Sequence, residues 1–133
     1  MKYKPCWKQI GITVERYDEL VGFCRQYPQW KTEAASLLGI RAVNMDGMPH
    51  GTGKGDPVAM AAERREQLLR KIGIVDECAN KIDDGKWYTV MIQHVCMRKN
   101  FDEIDKTLMP TSDRNTFYKQ RRKFFELLNM AKE

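Results

Sequence analysis

The segment MPTSDRNTFYKQRRKFFELLNM, residues 109–130, decides the fold. Pro110 breaks the chain ahead of it, and Ser112 is a residue type that caps helices. No Gly or Pro occurs between Ser112 and Met130, so the pattern predicts a helix over about that span. On a wheel of about 100° per residue, Phe117, Phe124 and Leu128 fall within about 20° of one another. Asn115, Lys119 and Arg122 fall near the opposite pole, flanked by Tyr118 and Lys123. One face anchors the helix, and the other offers an amide, two cations and a phenol.

Working backwards, Phe101, Ile104 and Leu108 predict a short amphipathic helix over 101–108, joined to the last one by the turn at Met109-Pro110-Thr111. Tyr88, Met91, Ile92 and Val95 stand at i, i+3, i+4 and i+7 and predict a helix over 86–98. Together these make a three-helix unit whose last two helices, about 101–130, read as a helix-turn-helix. Further upstream, Asp56 can cap and Pro57 suits the first position of a long middle helix to about Asn80. Asp83-Asp84-Gly85 is a turn. Residues 39–55 hold five of the nine glycines and read as a linker. Before it, Thr13 caps a helix over 13–27 closed by Pro28. A second helix covers 29–38 and stops at Gly39. Residues 1–11 are an irregular arm. The expectation is an all-α protein of about six helices, divided into an N-terminal helical hairpin (1–38), a Gly-rich linker (39–55) and a helical domain (56–133).

The polar face of the last helix suits duplex DNA. A major groove admits one α-helix, in which Asn can pair with adenine and Arg or Lys with guanine. Asn115, Lys119 and Arg122 are the candidate groove contacts. Arg114, Tyr118, Arg121 and Lys123 are candidate backbone contacts, and Ser112 with the open N–H groups of the first turn is a further phosphate site. Arg121 lies about 40° from the apolar axis, so its stem could instead run along the core edge.

The run Phe101-Asp-Glu-Ile-Asp followed by Met109-Pro-Thr-Ser-Asp-Arg-Asn-Thr-Phe-Tyr-Lys-Gln-Arg-Arg-Lys-Phe-Phe resembles the C-terminal segment of the RinA/ArpU-type phage transcriptional regulators. Ser112, Arg114, Asn115, Thr116, Phe117, Tyr118, Arg121 and Arg122 carry the resemblance, which is specific over about 110–125. The Asp56-Pro57 helix start is also similar. The resemblance implies a helix-turn-helix like the promoter-reading unit of sigma factors and a role in phage late-gene transcription. Host RNA polymerase is a further candidate partner.

Composition frames these readings. A formal charge of +5 and a pI of about 9.1 permit a polyanionic partner. No apolar stretch approaches the roughly 20 residues of a membrane span. Four cysteines without a C-x-x-C pair, and no secretory leader, suggest free thiols in a bacterial cytoplasm. Gly51-Thr52-Gly53-Lys54-Gly55 fails the nucleotide-binding loop pattern at both ends, though His50 and Lys54 are candidate phosphate contacts. His94, Cys78 and Cys96 fit no zinc spacing, so neither a metal nor another cofactor is expected. No catalytic constellation is present, and no enzyme activity is expected. The stripe Val58, Ala61, Ala62, Leu68, Leu69, Ile72, Val75 and Ala79 is a core face, or else pairs two copies through residues 57–80. Two other functions suit the same basic helix. One is packaging-site DNA binding by a ring-forming small terminase subunit. The other is inhibition of a host defence nuclease or RNA polymerase.

Overall fold

A computed structural model describes the backbone of residues 5–44 and 56–132, and the side chains of 5–38 and 56–132. The fold is all-α, and among the described residues there is no strand. The helices are α1 (Cys6–Gln9), α2 (Val14–Arg25), α3 (Tyr27–Asn44), α4 (Pro57–Asn80), α5 (Tyr88–Met91) and α6 (Arg114–Ala131). The described chain forms two compact units. One is drawn from residues up to Gln26 and from Ile74 onward, and the other from Tyr27–Gly73.

Local chemistry explains several boundaries. The Thr13 hydroxyl accepts from the Arg16 N–H at 3.1 Å and starts α2 as expected. Asp56 Oδ1 accepts from the Val58 N–H at 3.0 Å, with Pro57 opening α4. α2 ends earlier than predicted, and Pro28 sits in the first turn of α3, where its missing N–H has no helical partner to lose. α3 continues through Gly39 to Asn44, because an interior glycine costs a helix only about 1 kcal/mol. The expected linker therefore loses residues 39–44 to α3, and residues 45–55 lie outside the described ones. The expected arm at 1–11 contains the short helix α1.

In the second unit, α3 pairs with the first part of α4. Arg64 bonds Glu33 at 2.9 Å, Arg65 Nε donates to the Ala34 carbonyl at 3.2 Å, and the Lys71 ammonium stands 5.5 Å from the Trp30 ring centre. Lys71, a turn and a half beyond Arg65, meets Trp30, a turn before Ala34, so the two helices are antiparallel. Within this unit α3 and α4 form a helical hairpin. Trp30, Ala34, Ala61, Leu68 and Ile72 are buried, while Ala62 and Leu69 of the expected stripe are exposed.

In the first unit, α2 packs on the segment after α5 and on α6, and α6 packs on a 3-10 turn at Ile82–Gly85. Leu20, Val75, Ile82, Trp87, Val90, Met91 and Leu128 are almost completely enclosed. The turn holds Asp83 and Asp84 in the left-handed region, which short Asp side chains tolerate, and then Gly85 at φ 83°. The helix expected over 86–98 is shorter. α5 begins at Tyr88 and widens into a π turn over Ile92–Cys96, after which Arg98 adopts φ 62°.

The helix expected over 101–108 does not form. Two 3-10 turns, Phe101–Glu103 and Lys106–Leu108, are separated by an extended Ile104. Short polar side chains capture the backbone there. The Asn100 N–H donates to Glu103 Oε1 at 2.9 Å. Asp105 Oδ1 accepts from the Thr107 N–H at 2.9 Å and from its hydroxyl at 2.8 Å. The i, i+3, i+4 ladder is lost with the helix, so Met109 turns inward in place of the exposed Leu108. The expected helix-turn-helix is therefore a single long helix preceded by an irregular segment.

Candidate nucleic-acid interface

α6 is anchored by four enclosed side chains, Phe117, Phe124, Phe125 and Leu128. Around its N-terminal half Phe117 meets the rings of His94 (4.9 Å), Phe101 (5.0 Å) and Tyr118 (5.1 Å), all edge-on. Further along, Phe125 lies 5.2 Å from Tyr17 of α2. Arg16 of α2 reaches the last turns, where its Nε donates to the Asn129 side chain at 2.7 Å and its Nη2 to the Asn129 carbonyl at 3.2 Å. Three aromatic groups at one end and an arginine clamp at the other fix the rotation of α6 about its own axis.

That rotation decides which side chains face solvent. Asn115, Lys119 and Lys123 are exposed, and Tyr118 and Arg122 are half-buried. Among the described residues Lys119, Arg122 and Lys123 take part in no ion pair. Asn115 and Arg122 are seven residues apart, about 10 Å at 1.5 Å per residue. The patch ends at the exposed Glu126, one turn beyond Arg122.

Three of the expected contacts are placed differently. The cap of α6 is Asp113 and not Ser112. Its carboxylate accepts from the Asn115 N–H at 3.3 Å and from the Thr116 hydroxyl at 2.9 Å. A carboxylate there repels a phosphate from the positive end of the helix, and Ser112 stands exposed outside it. Arg114 bonds Asp102 at 3.0 Å, with its guanidinium 4.7 Å from the Phe101 ring centre. That pair bridges the helix start to the first 3-10 turn. Arg121 turns away from the exposed face. Its Nη2 donates to the Tyr17 hydroxyl, and its guanidinium lies 5.2 Å from the Phe125 ring centre. His50 and Lys54 lie outside the described residues.

His94 braces the site from behind. Its Nδ1 lies 2.7 Å from the Lys99 carbonyl, which can only accept, so Nδ1 carries the proton. Burial lowers its pKa, the Lys99 bond opposes this in part, and the nearby Arg121 charge adds a smaller lowering. The four cysteines are buried free thiols. Burial raises the Cys6 thiol and pushes Cys78 up to about 11. Cys24 is raised chiefly by its hydrogen bond to Cys96 and then by burial. Among the described residues no group of three or more His, Cys, Asp or Glu could hold a metal ion. Nor is any helix among them long and apolar enough to cross a membrane.

Sequence reasoning missed Arg98 and Lys99 as members of a basic surface. Both are exposed just after the π turn. In the expected helix they stand at or just past its end, and no spacing rule marks them. Compared with known proteins, the chain matches no family model, no curated protein and no solved structure.

Proposed function

We propose that the chain binds duplex DNA through the exposed face of α6, as a transcription regulator of the RinA/ArpU type. The observation that carries the reading is the division of α6 itself. Its apolar side is locked into the unit by four enclosed residues, while Asn115, Lys119, Arg122 and Lys123 face outward with no acid paired to them among the described residues. A span of about 10 Å matches roughly three base-pair steps of 3.4 Å. In the groove, Asn115 would read adenine through N6 and N7, and Lys119 or Arg122 would read guanine through O6 and N7. Lys123 would hold the flanking phosphates. Arg114 and Arg121 have roles inside the fold and are not assigned to DNA. Host RNA polymerase is a candidate second partner in this reading.

The test is selection of bound sequences from a random duplex pool. Wild type should enrich a short motif containing adenine, and Asn115→Ala should lose discrimination at one position while still retaining DNA. A good bidentate pair is worth about 1–3 kcal/mol of discrimination, well within the reach of such a selection. Recovery of no duplex above background at low salt refutes the reading.

A further inference from the structure

A second basic feature lies beside α6 and is not used by the duplex reading. A half-open hollow of about 360 Å³ is enclosed by α2, the π turn with the residues after it, and α6. Four cations line it: Arg25 from the end of α2, Arg98 and Lys99 after the π turn, and Arg121 from α6. Asp18 is the only acid among the described residues that line it with them. Among the described residues none of the four cations is in an ion pair. Like charges gathered around a concave wall repel one another and concentrate a positive potential, so the arrangement is costly unless an anion shares it.

Two more observations point to an occupant. The Arg121 Nε is buried and has no hydrogen-bond partner. Buried donors are nearly always satisfied, so an orphan on a side chain that lines a cavity calls for a partner, and an ion or ligand is one that would supply it. The Arg121 Nη2 donates to the Tyr17 hydroxyl, which holds the guanidinium in place. Secondly, the wall carrying Arg98 and Lys99 departs from ordinary helix twice. It is a π turn closed by a Met97 N–H to Ile92 carbonyl bond of 3.3 Å, and it places Arg98 at φ 62°. π turns and left-handed non-glycine residues cluster where a backbone must aim a functional side chain. Here they aim two adjacent cations toward the same hollow.

We propose that this hollow is a binding site for a phosphoryl group. Guanidinium forks match phosphate oxygens in pairs, and three arginines with one lysine suit a dianion better than a single carboxylate. The volume is at the small end of ligand sites, enough for a phosphate with a compact organic body. The phosphate can belong to a free small molecule or to a nucleic-acid backbone, and displacement of a labelled duplex separates the two. The site shares no residue with Asn115, Lys119, Arg122 and Lys123, so it stands whether or not these read DNA.

Pyrophosphate is the probe, titrated by calorimetry into the full chain at low salt. Wild type should bind it saturably at one site. Arg98→Gln with Lys99→Gln, exposed positions whose change leaves the core intact, should weaken binding by about tenfold or more, the loss of one charged hydrogen bond. Lys119→Ala with Arg122→Ala should bind it as wild type does. Circular dichroism melts establish that each variant is folded. If pyrophosphate also displaces a labelled duplex, the occupant is a backbone phosphate; if the duplex stays bound or never binds, it is a free phosphorylated ligand. No saturable binding to wild type, or equal binding to the Arg98/Lys99 variant, overturns the proposal.

Discussion

Replacing Lys119 and Arg122 together by alanine tests the duplex reading through its salt dependence. On its outer face α6 has three cations able to meet phosphates, Lys119, Arg122 and Lys123, since Arg114 is paired with Asp102 and Arg121 turns away toward Tyr17 and the hollow. Each neutralised phosphate releases counterions and contributes about 0.9 to the slope of log affinity against log salt. Three contacts give a slope of about −2.7, so affinity should fall about 40-fold between roughly 50 and 200 mM salt. The double variant keeps Lys123 alone, with a slope of about −0.9 and a fall of only about 3.5-fold. Fluorescence anisotropy with a labelled random-sequence duplex across that range measures both. The substituted side chains are exposed or half-buried, so the melting temperature should change little. A double variant with an unchanged slope would show that α6 is not the DNA-facing element. A wild type that ignores the duplex even at the lowest salt would refute the reasoning altogether.

The same geometry sets other outcomes. Phe117→Ala removes a fully enclosed ring bounded by three aromatic groups, and should cost about 3–5 kcal/mol and lower the melting temperature by more than about 10 °C. Thiol titration at about pH 8 should find all four cysteines unreactive in the native protein and fully reactive once it is unfolded, because all four are buried out of reach of the reagent. The folded pKa of His94 is lowered, so below the unfolded value of about 6.5 the unfolded chain binds more protons. Stability contributed by neutral His94 should therefore be lost as pH falls from about 6.5 toward the folded value. Thermal melts between about pH 7.5 and 5.5 should be flatter for His94→Asn than for wild type. Deleting residues 1–26 should unfold the α6 unit, seen as loss of cooperative melting in the remaining fragment, because α2 supplies Tyr17, Leu20 and Cys24 to its core.

The sequence made the helices with clean apolar stripes and capping residues legible. α2, α4 and α6 appear within a few residues of the expected positions, and Phe117, Phe124 and Leu128 are the buried face of α6. It misled where periodicity and local polar chemistry disagree. Phe101, Ile104 and Leu108 have helical spacing, yet Asp105 sits among them and bonds Thr107, which stops a helix from passing through. The same competition moves the α6 cap from Ser112 to Asp113, whose carboxylate bonds both Asn115 and Thr116. The pairing of α3 with α4 was not legible, because Glu33 and Arg64 carry no mark of partnership in the sequence. Arg121 shows how far a wheel can take the argument. Its offset of about 40° put it at the core edge, but only packing supplies the Tyr17 hydroxyl from a helix 104 residues away.

The loss of the expected partner helix changes how the tilt of α6 is set. In a helix-turn-helix the preceding helix crosses the DNA backbone and fixes the angle of the reading helix. Here the segment before α6 holds two short 3-10 turns, and it can locate only the first turn of α6, through Arg114 and Phe101. The remaining length is held by α2 together with the turn at Ile82–Gly85. Arg16 grips Asn129 across 113 residues of sequence, and Tyr17 touches both Arg121 and Phe125. An N-terminal helix absent from the resembling segment thus helps to aim the exposed face. It also supplies Arg25 and Asp18 to the hollow beside it. An anion seated there would bond Arg121 directly, and so act on the residue that ties α6 to α2. Phosphate binding in the hollow and duplex binding on the outer face, chemically separate, would then be linked through one guanidinium, and any coupling between them must be reciprocal.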